Sequence, residues 1–143
     1  MHLTTRVRYG LRAMLDLALH QEEAPVLLRD IAARQGVSLA YLEQLVGSLA
    51  AGGLVMTTRG PHGGVSLLRP PREIKVSEIV SRLEGPISLV NCVKHPDICS
   101  RSDVCVTRDL WQEMQEAMAG MLDRLTLEDL VERQKRKGVS TRL

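Results

Sequence analysis

The chain has 143 residues, 44% of them hydrophobic and 25% charged, with a formal net charge of +2, 2% aromatic residues and no Phe. Those proportions are those of a globular domain with an aliphatic core, which suits packed helices. No apolar run approaches the roughly 20 residues that span a bilayer, and Met1-His2-Leu3-Thr4-Thr5-Arg6 lacks the apolar stretch of a secretory signal, so the expectation is a cytoplasmic protein with no membrane partner.

Apolar residues at Val7, Leu11, Met14, Leu15, Ala18 and Leu19 predict a first helix from Arg6 to about Gln21, with Thr4 or Thr5 as its cap. A short second helix follows from Leu28 to about Gln35, stopped by Gly36. Ser38 opens a third, Leu39 to Ala51, with Leu42, Leu45, Val46 and Leu49 inward. Two short helices joined by a glycine-containing turn form a helix-turn-helix. Leu54–Thr58 and Val65–Leu68 read as two strands around the tip Arg59-Gly60-Pro61-His62-Gly63-Gly64, a wing. Ile74 to Leu83 predicts a fourth helix, and residues 86–105 show no periodicity. From about Val106 to Leu125, the residues Leu110, Met114, Ala117 and Met121 step as a heptad seam, which marks a dimer helix. Thr126 to Asp129 cap a final helix, and the tail from Lys135 to Leu143 is polar and expected to fray.

The fold class is therefore mainly α with a small β-hairpin: a winged helix-turn-helix followed by a long C-terminal dimerisation helix. We divide it into a DNA-binding domain at 1–84, a cysteine-bearing segment at 85–105, and the dimer helix, final helix and tail at 106–143. Residues 1–75 hold nine Lys/Arg against six Asp/Glu, and residues 76–143 ten against eleven. The positive balance falls where a nucleic-acid surface would want it.

The second helix of such a pair enters the major groove of double-stranded DNA. Its exposed start carries Ser38, Ala40, Tyr41, Glu43 and Gln44. Gln44 can pair bidentately with adenine, and Glu43 can accept from cytosine N4 while repelling phosphate, so it discriminates rather than adds affinity. Arg59 and Gly60 on the wing suit a minor groove or phosphate, His62 a phosphate contact or no contact, and Arg6 and Arg8 a phosphate clamp. The competing readings are a winged helix that binds protein, a Tyr41 half in the core and a Ser38 that serves only as a cap.

Cys92, Cys99 and Cys105 are the only cysteines, spaced C-x6-C-x5-C. An odd count with no export signal argues against a disulfide framework. The spacing is not that of a zinc ribbon, and wide gaps suit an iron–sulfur cluster. His95, Asp97, Asp103 and Asp109 are nearby candidates for a fourth ligand, as is a residue from elsewhere, including a partner subunit. Lys94, Arg101 and Arg108 would help keep thiolates ionised. Three reactive or merely buried thiols are the alternative. No nucleophile–base–orienter set, glycine-rich phosphate loop or paired carboxylates suggest an enzyme or a small-molecule substrate.

The chain resembles the IscR-like winged-helix iron–sulfur transcriptional regulators from Leu3 through about Glu132. The likeness is carried by Leu3-Thr4, Tyr9-Gly10, Ala13-Met14-Leu15-Asp16, Gln35-Gly36-Val37-Ser38 and Tyr41-Leu42-Glu43-Gln44-Leu45. It continues in Arg59-Gly60-Pro61 with Gly63-Gly64, in Leu125-Thr126-Leu127 with Asp129-Leu130-Val131, and in the three cysteines. The resemblance implies a homodimer on palindromic operator DNA and a cluster, [2Fe–2S] or [4Fe–4S], held by Cys92, Cys99 and Cys105. It also implies control of iron–sulfur assembly genes or of a stress response.

The chain departs from that pattern in places. In IscR-type members a histidine ligand lies two or three residues beyond the third cysteine; here the stretch is Val106-Thr107-Arg108. In the NsrR-like nitric-oxide-sensing branch an aspartate of the partner's first helix can ligate; the matching position here is Arg8. Ser88-Leu89-Val90-Asn91-Cys92 is closer to that branch, and Ala40 stands where close IscR relatives carry serine. The expected function is a regulator whose operator binding is controlled by the cluster and senses iron–sulfur status. The alternative is a nitric-oxide- or redox-responsive repressor, cluster-based or a metal-free thiol switch.

Overall fold

Thr4 opens α1 (Thr5–Leu19): its hydroxyl oxygen accepts from the Val7 N–H at 3.3 Å. The helix ends two residues earlier than its apolar pattern predicts, because Gln21–Glu23 tighten into a 3-10 turn. Residues 2–138 are described in this computed structural model, so the last residues of the polar tail, 139–143, lie outside them. α2 (Leu28–Gln35) stops at Gly36, whose φ of 67° is left-handed. α3 (Leu39–Ala51) starts at Ser38, whose hydroxyl accepts from the Tyr41 N–H at 3.1 Å. Leu42, Leu45, Val46 and Leu49 are all buried against α1 and α2.

The wing is an antiparallel pair, β1 (Val55–Thr58) with β2 (Gly64–Leu67), in the register Val55↔Leu67 to Thr58↔Gly64. The chain between α1 and α2 pairs with it as well. Val26 and Val65 exchange N–H···O bonds of 2.9 and 2.8 Å, which fixes the wing to the helical body. Gly64, at φ +153°, is needed there: a Cβ would lie 2.3 Å from the Val26 carbonyl oxygen.

α4 (Val76–Glu84) begins two residues later than expected. Pro71–Glu73 form a 3-10 turn, and Ile74 to Val76 are extended against Leu125 to Leu127, with Val76 N–H to Leu125 O and Leu127 N–H to Ile74 O both 2.8 Å. α4 buries Val76, Ile79, Val80 and Leu83. It crosses α1 at Gly10, where a Cβ would sit 2.2 Å from the Leu83 Cδ1. The segment expected to lack regular structure contains a one-turn helix, α5 (Asn91–Lys94), and a 3-10 turn, Pro96–Ile98. Single turns are too short to leave an apolar period in the sequence.

α6 (Val106–Arg124) packs against α4 and α5 and has no buried residue along its 19 positions. α7 (Leu127–Arg136) is held at its start by a reciprocal pair: Thr126 N–H donates to Asp129 at 2.9 Å, and Asp129 N–H donates to the Thr126 hydroxyl at 3.1 Å. α7 buries Leu127 and Val131 and returns to α1. The core is one cluster of aliphatic side chains shared by α1 to α4, the wing and α7. Among the described residues, no helix is long and apolar enough to cross a membrane.

Candidate nucleic-acid interface and cysteine segment

The start of α3 projects from the body. Ser38, Ala40, Glu43 and Gln44 are exposed, and the inward half of the turn is filled by Leu42 and Leu45. Tyr41 is half-buried; its ring meets Tyr9 of α1 edge to face, with centroids 6.3 Å apart. The Arg12 guanidinium lies 5.1 Å from the Tyr9 centroid and that of Arg8 5.9 Å. Arg59, Gly60 and His62 are exposed at the wing tip, where Gly60 takes φ +104°. The reading face thus offers one helix start and one hairpin tip on a shared scaffold, the arrangement that fits a major groove and its flank.

The two arginines expected to clamp phosphates differ. Arg8 is exposed. Arg6 donates from Nε to the Leu83 carbonyl at 3.1 Å and from its terminal nitrogen to the Ser48 hydroxyl, so its guanidinium joins α1 to the far ends of α3 and α4.

One group at this site escaped the sequence reading. Asp16 is 1% exposed and accepts from Arg34 through both carboxylate oxygens, the closest contact being 2.6 Å. Gln35 donates to the same carboxylate at 2.8 Å and accepts from Arg12 Nε at 2.9 Å. The hydrogen bond that Arg34 donates to Asp16, with the charge of that carboxylate, holds the Arg34 pKa above the ordinary guanidinium value against the opposing effect of burial. A buried carboxylate persists only with such partners. The network ties α1 to the last turn of α2, immediately before the Gly36 turn that aims α3. The available signal was an acid inside the apolar run Met14 to Leu19, on the buried face of α1.

The cysteine segment is stapled at its ends. Arg108 donates to the Cys92 carbonyl at 3.0 Å and lies 3.5 Å from that of Val93, so α5 and the first turn of α6 form one corner holding Cys92 and Cys105. Ser102, 8% exposed, donates to the Pro96 and Cys99 carbonyls at 2.7 and 3.0 Å. Cys99 is exposed, and Cys92 and Cys105 are half-buried. Cys105 stands at the start of α6, where a hydrogen bond with the Thr107 hydroxyl, then the Arg108 N–H, holds its thiol below the ordinary range. His95, Asp97 and Asp103 are exposed. Among the described residues no three His, Cys, Asp or Glu side chains converge closely enough to hold a metal ion. The donors have the right chemistry for iron, but their sulfurs do not meet in this conformation.

On α6 the expected seam is open. Leu110 is 48% and Met121 51% exposed, Ala117 is exposed and Met114 half-buried.

A helix-turn-helix with a paired hairpin, a projecting recognition helix and a long unburied helix defines a winged-helix DNA-binding regulator. The chain belongs to the Rrf2 family, described as an iron-dependent transcriptional regulator, whose profile matches residues 3–133. It is 44% identical over 131 residues to the Rrf2 protein of Nitratidesulfovibrio vulgaris, covering 92% of this chain and 87% of that one. Among solved structures, IscR of T. potens superposes with a TM-score of 0.80 at 37% identity, covering 97% of this chain and 92% of that one. CymR, the global cysteine regulator of B. subtilis, does so at 0.79 and 38%, covering 93% and 98%. The chain is a transcriptional regulator and not an enzyme.

Proposed function

We propose that two copies of this chain pair through α6 and bind a palindromic operator in the cytoplasm, and that an iron–sulfur cluster carried by Cys92, Cys99 and Cys105 controls that binding. On this reading residues 1–84 read DNA, 85–105 carry the thiolates and 106–143 pair the copies. The observation that carries it is placement. All three cysteines of the chain lie in one segment between the reading body and the open α6 seam, and one of them starts α6. The relatives named for IscR and the iron-dependent description of the family support the same signal.

Three soft thiolates suit iron, and the bound group would supply a redox-active centre at the foot of α6. Because the sulfurs lie apart, holding it would draw the 91–105 segment together, while Arg108 keeps the backbone at Cys92 tied to the first turn of α6. Any change at that corner reaches α6 directly and α4 through their contact. A signal then acts only as far as the two states differ in operator affinity. At the DNA, Gln44 and Glu43 read base edges, Ser38 and Tyr41 shape the helix start, Ala40 leaves a gap, and Arg59, Gly60, His62 and Arg8 meet the backbone.

A metal-free thiol switch is the second reading, favoured by the separated sulfurs and the acidified, half-buried Cys105 thiol. Iron and sulfide analysis of protein purified without oxygen separates the two. Stoichiometric iron and sulfide with visible absorbance are expected; iron-free protein with three reactive thiols would replace the cluster by the switch.

A further inference from the structure

Behind its reading edge, α3 is gripped from two sides at one residue, Ser48. Its hydroxyl accepts from a terminal nitrogen of Arg6 on α1, and its carbonyl accepts from Arg82 Nε on α4 at 2.7 Å. The same carbonyl already receives the Gly52 N–H at 3.1 Å, so both of its lone pairs are used. Arg82 therefore repairs no unpaired helix end. What it adds is a sideways tie between two helices. Gly52 leaves room for that tie: a Cβ there would stand 2.6 Å from Arg82 Cδ and 2.7 Å from its Cγ. With φ at −84°, the backbone makes no demand for glycine at that place, so the space taken by the arginine stem is what the missing side chain provides.

Ser48 stands four residues behind Gln44, about 6 Å along the axis at 1.5 Å per residue. The front of α3 is set by the Ser38 cap and the Tyr9–Tyr41 contact. A rod held only at its front can still swing about that point. The apolar contacts of Leu42, Leu45, Val46 and Leu49 do not prevent small swings, because burial has no direction, whereas hydrogen bonds do. α4 is a firm post for the tie: Leu83 packs over Gly10, and Arg69 pairs with Glu78 at 2.8 Å. α4 also packs on α6, so the bond stands between the arm and the reading helix.

We infer that Arg82 and Arg6 are positioning residues for operator recognition: by holding Ser48 from α4 and from α1, they fix the angle at which the start of α3 meets the groove. The inference deepens the DNA reading proposed above and rests on it. A phosphate contact is the competing role for Arg82, whose terminal nitrogens have no partner among the described residues. Positioning is favoured because Nε is spent on the Ser48 carbonyl and the stem fills the space over Gly52.

The test uses the full chain with two probes: a duplex that the native chain enriches from a random pool, and a scrambled duplex of the same length. Arg82→Met keeps an apolar stem and removes donor and charge. Ser48→Ala takes the acceptor from Arg6 and alters no charge. Arg82→Lys keeps a charged donor. Arg82→Met is expected to weaken binding to the enriched duplex by about tenfold, on the order of one misread base pair, and to the scrambled duplex by less than about twofold. Ser48→Ala is expected to lower the same preference by about threefold, and Arg82→Lys to return it to within about threefold of native. Urea unfolding shows that each variant is folded. An unchanged preference in Arg82→Met, whether or not stability falls, would make Arg82 a packing residue and overturn the inference. Equal losses on both duplexes, with a salt slope shallower by about one, would make it a phosphate contact and overturn it too. If Arg82→Met does not fold, Ser48→Ala decides alone, and a native preference there would overturn the inference. A native chain that enriches no sequence would remove the DNA reading itself, and the positioning role with it.

Discussion

Asp16 carries more of the reading geometry than any residue that touches DNA on our account. It receives Arg34 and Gln35, and Gln35 in turn receives Arg12, so one buried carboxylate sets α1, α2 and the turn into α3. Removing one partner of a buried ion pair strands the other, so Asp16→Ala is expected to cost about 3 kcal/mol or more, read by urea unfolding. An unchanged midpoint would mean that the network is idle. Gly64→Ala is the second test at this scale. The methyl would meet the Val26 carbonyl at a strained φ, so a loss of about 1–3 kcal/mol is expected, measured by thermal unfolding. The glycines at the wing were plain in the sequence as turn residues. That one of them admits the 25–26 backbone was not, because the approaching strand lies about 40 positions away in the chain.

At the scale of elements, the caps decide where the helices start. Ser38→Ala removes the acceptor for the Tyr41 N–H, and about 1 kcal/mol of stability is expected to go with it, together with operator affinity, since we propose the start of α3 as the reading edge. A variant as stable as the parent would contradict the capping role. At α7, the hydrogen bond from the Thr126 N–H, then the one between the Thr126 hydroxyl and Asp129, holds the Asp129 carboxyl below its ordinary value. A depressed folded pKa stabilises above the unfolded pKa, and that contribution is lost as the pH falls through the folded value. An acid titration of the native chain is therefore expected to show a stability loss, at the acid end of the carboxylate range, that Asp129→Asn lacks; matching curves would deny it. Elements with a full period were legible: α1, α2, α3, α6 and α7 fall within about two residues of their patterns. What stayed hidden had no period to show. α5 is a single turn, and the start of α4 is displaced by a bridge to Leu125–Leu127 that no local pattern encodes.

The whole molecule divides into a well-buried body and an arm. The body is α1 to α4, the wing and α7 around one core; α6 with the cysteine corner stands on it with its apolar seam open. The corner where Arg108 clasps Cys92 ties the cysteine segment to the start of that arm. The sequence showed that Ser38, Ala40, Glu43 and Gln44 would be exposed, because exposure at the start of a capped helix follows from periodicity. It could not show that Arg6 would be drawn to Leu83 and Ser48, because both lie more than 40 positions away. The most direct test of cluster control is a pair of operator titrations under exclusion of oxygen. One uses the native chain reconstituted with iron and sulfide, the other a chain with Cys92, Cys99 and Cys105 all changed to alanine. We expect the reconstituted chain to carry a cluster and the two dissociation constants to differ by about tenfold or more, the span of an ordinary coupling energy. A colourless native chain that binds its operator as tightly as the cysteine-free variant would contradict it.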